Sequence, residues 1–123
     1  MGTTVLEPDE IVTEVQLPPA AGKSAFLKFA LRKAIDFPIV NCAAMIAMDR
    51  ERIVSARICL NAVYVKPYRA RSAEEAINGQ TLSEEVAETA GVACVAVARP
   101  MSHNAYMVPV AKTYIKRTIL ACR

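Results

Sequence analysis

Two long apolar runs separated by a short polar link constrain this chain more than any other feature. The runs are IVNCAAMIAM (39–48) and IVSARICLNAVYV (53–65), and DRER lies between them. Both runs contain β-branched residues, and a short polar link between two such runs is typical of a β-hairpin. The sequence therefore predicts an antiparallel sheet with three or four strands.

Two shorter segments before the hairpin are also predicted to be strands. IVTEVQL (11–17) alternates apolar with polar residues and is followed by Pro18 and Pro19, which cannot continue a β-ladder. AFLKFAL (25–31) alternates as well. Its period of two places Phe26 and Lys28 on the same face of the strand.

The second half of the chain changes to helical spacing. The pattern predicts helices over 72–80, over 81–98 and after Arg99–Pro100. The predicted N-terminal caps are capping boxes of Ser72 with Glu75 and of Thr81 with Glu84, and then Asn104; Gly79 is a C-cap candidate. Pro109 fits within the first turn of the last helix. Because strands come first and helices after, the class is α+β, with about three helices packed on one face of the sheet.

Length and composition exclude several classes of protein. At 123 residues, with 54% hydrophobic and 22% charged residues, the chain is expected to be one ordered domain over 1–123. The longest apolar stretch, 37–48, is too short to span a membrane, and the first residues do not resemble a secretory signal. We therefore expect a protein that binds neither membrane nor nucleic acid. For the basic C-terminal helix, a solvated face is favoured over phosphate binding.

The four cysteines do not form a pattern typical of a metal site or a disulfide scaffold. They are widely separated, without a CxxC pair or a neighbouring histidine. Cys42, Cys59 and Cys94 lie inside apolar runs, where a free cysteine behaves as a small hydrophobic side chain. This usage indicates a reducing compartment, and we expect the cytoplasm.

The sequence contains no convincing catalytic site. Its single histidine, His103, is predicted to lie in a loop, and the familiar glycine-rich and nucleophile motifs do not occur. The best functional candidate is the strand AFLKFAL, because an aromatic ring and an ammonium group on one face suit a planar, electron-rich ligand. The alternative is an edge strand on which Lys28 only prevents aggregation.

Five stretches, taken in order, resemble one family. They are LEPDEIVTEVQLP, AFLKFALRKAIDFPIVNCA, ARICLNAVYVKPYRARSAEEAINGQ, TLSEEVAETAGVACVAVARP and MSHNAYMVPVAKTYIKRTIL. Their order and spacing, over about residues 5–122, resemble the C-terminal domain of the FAD-binding (medium) subunit of molybdenum hydroxylases, the xanthine dehydrogenase and carbon monoxide dehydrogenase family. The resemblance implies the same α+β fold as the pattern of apolar residues.

The resemblance also implies a role and partners. In this family the subunit passes electrons between iron–sulfur clusters and an external acceptor, and its C-terminal domain covers the isoalloxazine ring of FAD. By resemblance, Phe26 and Lys28 are the cofactor-binding residues, and the loop containing Arg32, Lys33 and Asp36 tunes access to the flavin. The implied partners are an N-terminal FAD-binding domain or fragment, an iron–sulfur subunit and a molybdopterin subunit.

The chain departs from the family pattern in three respects. Phe26 stands where several relatives have tyrosine, and Asn61 where glycine is common. The N-terminal FAD-binding domain is absent, so FAD is expected only when another chain or fragment supplies that domain. We therefore do not expect activity from this chain alone. The alternative is a structural or subunit-docking module of the same fold that no longer contacts flavin.

Overall fold

The computed structural model describes residues 4–32 and 35–123. Four strands are followed by three helices, so the α+β class predicted from the sequence is confirmed. The elements are β1 (Lys23–Phe29), β2 (Val40–Asp49), β3 (Arg52–Asn61), β4 (Tyr68–Arg69), α1 (Arg71–Ile77), α2 (Glu84–Val95) and α3 (Met107–Leu120).

The strands form one antiparallel sheet in the order β1-β2-β3-β4. The predicted hairpin between the two long apolar runs is confirmed as β2 and β3, with Asp49 paired to Arg52. Arg50 in the turn has a φ of 54°, the left-handed conformation that tight hairpin turns require. The short strand β4 was not predicted, because two residues carry no alternation.

The core lies between one face of the sheet and the three helices. α3 packs on β1 and β2, α1 packs on β3, and α2 lies against both of the other helices. Ile46, Ile58 and Leu60 from the sheet meet Ile77 and Ile115 from the helices, and all five are at most 2% exposed. Burial of each such side chain contributes roughly 1.5–3 kcal/mol. These aliphatic side chains therefore hold the two layers together.

The helices α2 and α3 are joined by close packing and by ion pairs. A Cβ atom on Gly91 would lie 2.8 Å from the backbone oxygen of Lys112, so only glycine allows this approach. Lys112 pairs with Glu88 at 2.6 Å, and Lys116 pairs with Glu84 at 2.7 Å. The hydrogen bond from Lys112 lowers the pKa of Glu88. Lys112 and Lys116 therefore form ion pairs with α2. The solvated face that we expected for the last helix is wrong for these two lysines.

The predicted N-terminal caps were wrong for all three helices. Ser72 donates to the backbone oxygen of Ala93, at 3.2 Å, and α1 has no side-chain cap. Thr81 is held in an isolated β-bridge with Arg52, so α2 begins later and Ser83 caps it by accepting from the Val86 N–H.

At the third helix the N-cap is Tyr106, which makes no side-chain cap. Asn104 instead accepts from the Met101 N–H at 2.7 Å and shapes the preceding turn. Pro109 does lie in the first turn of α3, as predicted. Gly79, at φ 74°, directly follows the C-cap Asn78 of α1.

The predicted strand at 11–17 was also wrong. This segment has no regular structure, and its apolar side chains are exposed, Ile11 by 82% and Leu17 by 85%. A strand requires a neighbouring edge for its backbone hydrogen bonds, and within the described part of the chain no strand pairs with it. Alternation alone therefore did not produce a strand.

All four cysteines are free. Burial raises the pKa values of Cys42 and Cys94 to about 11, so both thiols stay protonated at neutral pH. Cys59 is only half-buried, because it points away from the helices. Over residues 4–32 and 35–123, no helix has the length and apolarity that a membrane span requires.

Candidate functional site

The face of the sheet opposite the helices carries the residues with functional potential. We call it the open face, and it comprises the alternate strand residues Phe26, Lys28, Asn41, Ala43, Met45, Arg57, Cys59, Asn61 and Arg69. The assignment follows from β1, where Ala25, Leu27 and Phe29 turn toward the core. The ring of Phe29 lies 5.7 Å from that of Tyr114 in α3. Phe26, one position out of phase with them, is therefore directed outward and is 60% exposed.

A shallow groove crosses the open face. Strand pairing places Phe26 opposite Ala43, Ala43 opposite Cys59, and Cys59 opposite Arg69. With strands about 4.8 Å apart, the first and last of these residues are separated by about 14 Å. The small side chains of Ala43 and Cys59 form the floor. The groove, of about 540 Å³, is thus walled by an aromatic ring on one side and a guanidinium on the other.

Glu74 in α1 holds that guanidinium in place. Its carboxylate accepts from Arg69 Nε at 3.0 Å and from Arg69 Nη2 at 3.1 Å. The same carboxylate accepts from the backbone N–H of Ile58 in β3 at 2.8 Å. Glu74 therefore joins three elements, α1, β3 and β4, and fixes the edge of the groove. The sequence alone does not reveal this role of Glu74, because its partners are 5 and 16 positions away.

Lys28 lies at the far end of β1, next to the loop that follows it. Its ammonium donates to the backbone oxygen of Asp36 at 3.0 Å. The Asp36 carboxylate in turn accepts from Arg32 Nη2 at 3.0 Å and from the Arg32 backbone N–H at 3.2 Å. The Arg32 side chain lowers the pKa of Asp36. The structure thus brings Lys28, Arg32 and Asp36 together at one corner of the open face, while Lys33 lies outside the described residues.

The two substitutions at family positions have different structural settings. Phe26 has no hydroxyl group, so at this position the groove offers only a ring face. Asn61 ends β3 opposite Asn41, and the left-handed residue is its neighbour Ala62, with a φ of 66°. The backbone therefore leaves the sheet one residue after the position where glycine is common.

The chemistry available on the open face is that of binding. An exposed aromatic ring stacks on planar ligands, and guanidinium groups bind negative charge. His103 lies in an exposed turn before α3, away from the strands that form this face. Among residues 4–32 and 35–123, no three potential metal-ligating side chains cluster together. The open face therefore offers contacts for a planar or negatively charged ligand.

Comparison with known proteins identifies relatives with the same elements. Residues 25–122 match the family described as the CO dehydrogenase flavoprotein C-terminal domain. The chain is 34% identical to the nicotine 6-hydroxylase medium subunit of Paenarthrobacter nicotinovorans, over 73% of this chain and 31% of that subunit. It is 29% identical to a putative xanthine dehydrogenase FAD-binding subunit of Escherichia coli, over 71% of this chain and 31% of that protein.

A solved structure agrees with these relatives. Quinoline 2-oxidoreductase from Pseudomonas putida 86 superimposes with a TM-score of 0.78 and 30% identity, covering 86% of this chain and 38% of that one. The chain therefore spans about a third of the length of the proteins that it matches. The matched region includes all four strands and all three helices except the first two residues of β1. This chain belongs to the CO dehydrogenase flavoprotein C-terminal domain family.

Proposed function

We propose that the open face covers the isoalloxazine ring of an FAD that an N-terminal flavin domain holds. The chain then works as the C-terminal module of a flavin subunit in a molybdenum hydroxylase-type oxidoreductase. In such an enzyme the subunit passes electrons between iron–sulfur clusters and an external acceptor. The single observation that carries the proposal is the exposed Phe26 ring beside a groove with a flat floor of small residues.

The groove suits a tricyclic ring in size and in chemistry. Its outer strands are about 14 Å apart, from strand spacing, and this separation exceeds the long axis of an isoalloxazine ring, which is roughly 10 Å. Phe26 supplies an aromatic surface, and the methyl group of Ala43 allows close approach over β2. Neither the sequence nor the groove contains a glycine-rich loop that could hold the pyrophosphate of FAD. In this proposal the chain therefore contacts the isoalloxazine ring, and the flavin domain holds the phosphates.

In this proposal the side chains position and shield the cofactor. FAD, when bound, supplies the electron-accepting chemistry. Phe26 packs against the ring and excludes water from it. Lys28 lies at the edge of the same face, where its ammonium reaches a carbonyl or phosphate oxygen when it leaves the Asp36 oxygen. Both residues act through binding, and neither is a catalytic residue.

The relatives support the wider assembly. One relative is a FAD-binding subunit, and another is the medium subunit of a hydroxylase. We accordingly propose an iron–sulfur subunit and a molybdopterin subunit as further partners, in a cytoplasmic complex. The substrate is set by the molybdenum subunit and does not follow from this chain.

A second candidate function is a docking module that keeps the fold without contacting flavin. One observation favours it: the Lys28 ammonium is already bonded to the Asp36 backbone oxygen, 3.0 Å away. In that case Phe26 and the groove floor contact another subunit directly. The two functions predict different results when residues of the open face are replaced. Only the flavin-covering function predicts that FAD affinity falls.

The experiment is to co-express this chain with a matching N-terminal flavin domain and to titrate the purified complex with FAD. We expect visible flavin absorbance in the complex. Phe26→Ala should raise the FAD dissociation constant about two- to twelvefold, because an aromatic contact contributes about 0.5–1.5 kcal/mol. Lys28→Ala should weaken binding to a similar or smaller degree.

Matched controls come from the helical side of the molecule. Tyr106→Ala removes an aromatic side chain that is 54% exposed at the start of α3, away from the open face. It should leave FAD affinity unchanged. Colourless complexes at saturating FAD would refute the proposed cofactor contact. Normal FAD affinity and electron transfer in both Phe26→Ala and Lys28→Ala would favour the docking module.

A further inference from the structure

The two arginines that line the groove differ in how their charges are balanced. Arg69 is held by two hydrogen bonds to Glu74, which largely neutralises it. Arg57 also lines the groove. In the part of the chain that the structure describes, it has no ion pair with any carboxylate. The net positive charge of the groove is therefore concentrated at Arg57.

The position of Arg57 relative to the floor is fixed by strand pairing. Arg57 lies opposite Met45, and Cys59 lies opposite Ala43. Arg57 and Cys59 are two residues apart on β3, so their Cα atoms are separated by roughly 6.8 Å on the same face. The Arg57 side chain is long enough for its guanidinium to reach over Ala43 and Cys59, which form the floor of the groove. A flat ligand lying on Ala43 and Cys59 would present one edge to it.

We infer that Arg57 contacts the polar edge of the flavin ring and favours the reduced, negatively charged form of the cofactor. The inference rests on the proposed function and extends it with a residue, an orientation and an electrostatic effect. An isoalloxazine ring has an apolar dimethylbenzene end and a polar end with two carbonyl groups. Negative charge gathers at the polar end on reduction, so a cation there stabilises the reduced state more than the oxidised state.

The orientation follows from the distribution of apolar and charged side chains. Phe26 offers a ring face on the side of β1, where the apolar part of the cofactor is accommodated. Arg57 stands on β3 across the strand between them. Reversing the ring would bring its apolar end against an unpaired guanidinium and place the developing negative charge on the side of β1, where the Lys28 ammonium is already bonded to the Asp36 backbone oxygen. The polar edge therefore points toward β3.

The test measures the reduction equilibrium of bound FAD in the complex with the flavin domain. FAD is equilibrated with a redox dye of known potential, and both are followed by absorbance. Arg57→Gln should lower the equilibrium constant for FAD reduction about thirtyfold, as expected for one charge removed at about 8 Å with an effective dielectric constant of about 20. Arg57→Lys should recover most of this loss, because it restores the charge.

Arg117→Gln is the matched control. Arg117 is an exposed residue of α3, in the layer behind the sheet, so its removal changes the net charge equally without altering the groove. An Arg57→Gln equilibrium equal to that of Arg117→Gln would overturn the inference. If Phe26→Ala still weakened FAD binding, the proposed function would survive that result. If the complex held no FAD, both would fail.

Discussion

Replacing Glu74 with alanine tests whether one carboxylate fastens the first helix to the sheet. The side chain is only 11% exposed and accepts from the backbone N–H of Ile58 at 2.8 Å. A hydrogen bond to a charged group contributes about 1.5–3 kcal/mol. The ion pair with the half-exposed Arg69 adds at most about 1 kcal/mol. We expect Glu74→Ala to lower the free energy of unfolding by about 2–3 kcal/mol, or the Tm by roughly 10 °C.

Urea denaturation followed by circular dichroism measures this change. Glu75→Ala is the matched control, because it alters the neighbouring residue of the same helix from the same starting side chain. Glu75 is exposed, and its replacement should change stability by less than about 0.5 kcal/mol. Helix propensity cancels between the two variants. Equal stability of Glu74→Ala and Glu75→Ala would refute the argument that the carboxylate joins the layers.

Three further predictions concern packing, pH and thiol reactivity. Gly91→Ala should destabilise the fold by about 1–3 kcal/mol, measured by urea denaturation, because its Cβ would meet the backbone of α3 at 2.8 Å. The folded-state pKa of Glu88 lies below its ordinary 4.5, so its ion pairs stabilise the fold above that pH and are lost as the pH falls through the folded value. Thermal unfolding of Glu88→Gln and of the unaltered chain should therefore converge as the pH falls below the folded-state pKa of Glu88; a constant difference would contradict this. At about pH 8, brief alkylation followed by mass spectrometry should modify Cys59 well before Cys42, whose pKa is about 11. Equal labelling of Cys59 and Cys42 would contradict this prediction, because it would show that the core opens rapidly.

The parts of the fold with strong periodicity were predictable from the sequence. The two runs at 39–48 and 53–65, with the short polar link between them, were enough to predict the hairpin. The strand AFLKFAL was displaced by only two residues, and its outward pair, Phe26 and Lys28, lies on the open face as expected. These predictions succeeded because the apolar pattern repeats over several residues of each strand.

Features that depend on contacts distant in sequence were not predictable. Thr81 and Ser83 both fit the local pattern of a helix cap, and the β-bridge from Thr81 to Arg52 decides between them. The role of Glu74 requires that α1 lie beside β3. Arg57 was not singled out, because a single arginine in a strand does not reveal which charges surround it. The segment 11–17 is the opposite case. Its alternation fits a strand, but in the described part of the chain no neighbouring strand pairs with it.

The alternation of the strands has a consequence for how this domain tolerates substitution. On β3, Ile58 supports the core, while its neighbours Arg57 and Cys59 belong to the groove. Core packing and the proposed ligand contact therefore fall on alternate residues of the same strand. A substitution at Arg57 or Cys59 changes the groove while Ile58 and the rest of the buried face stay as they are.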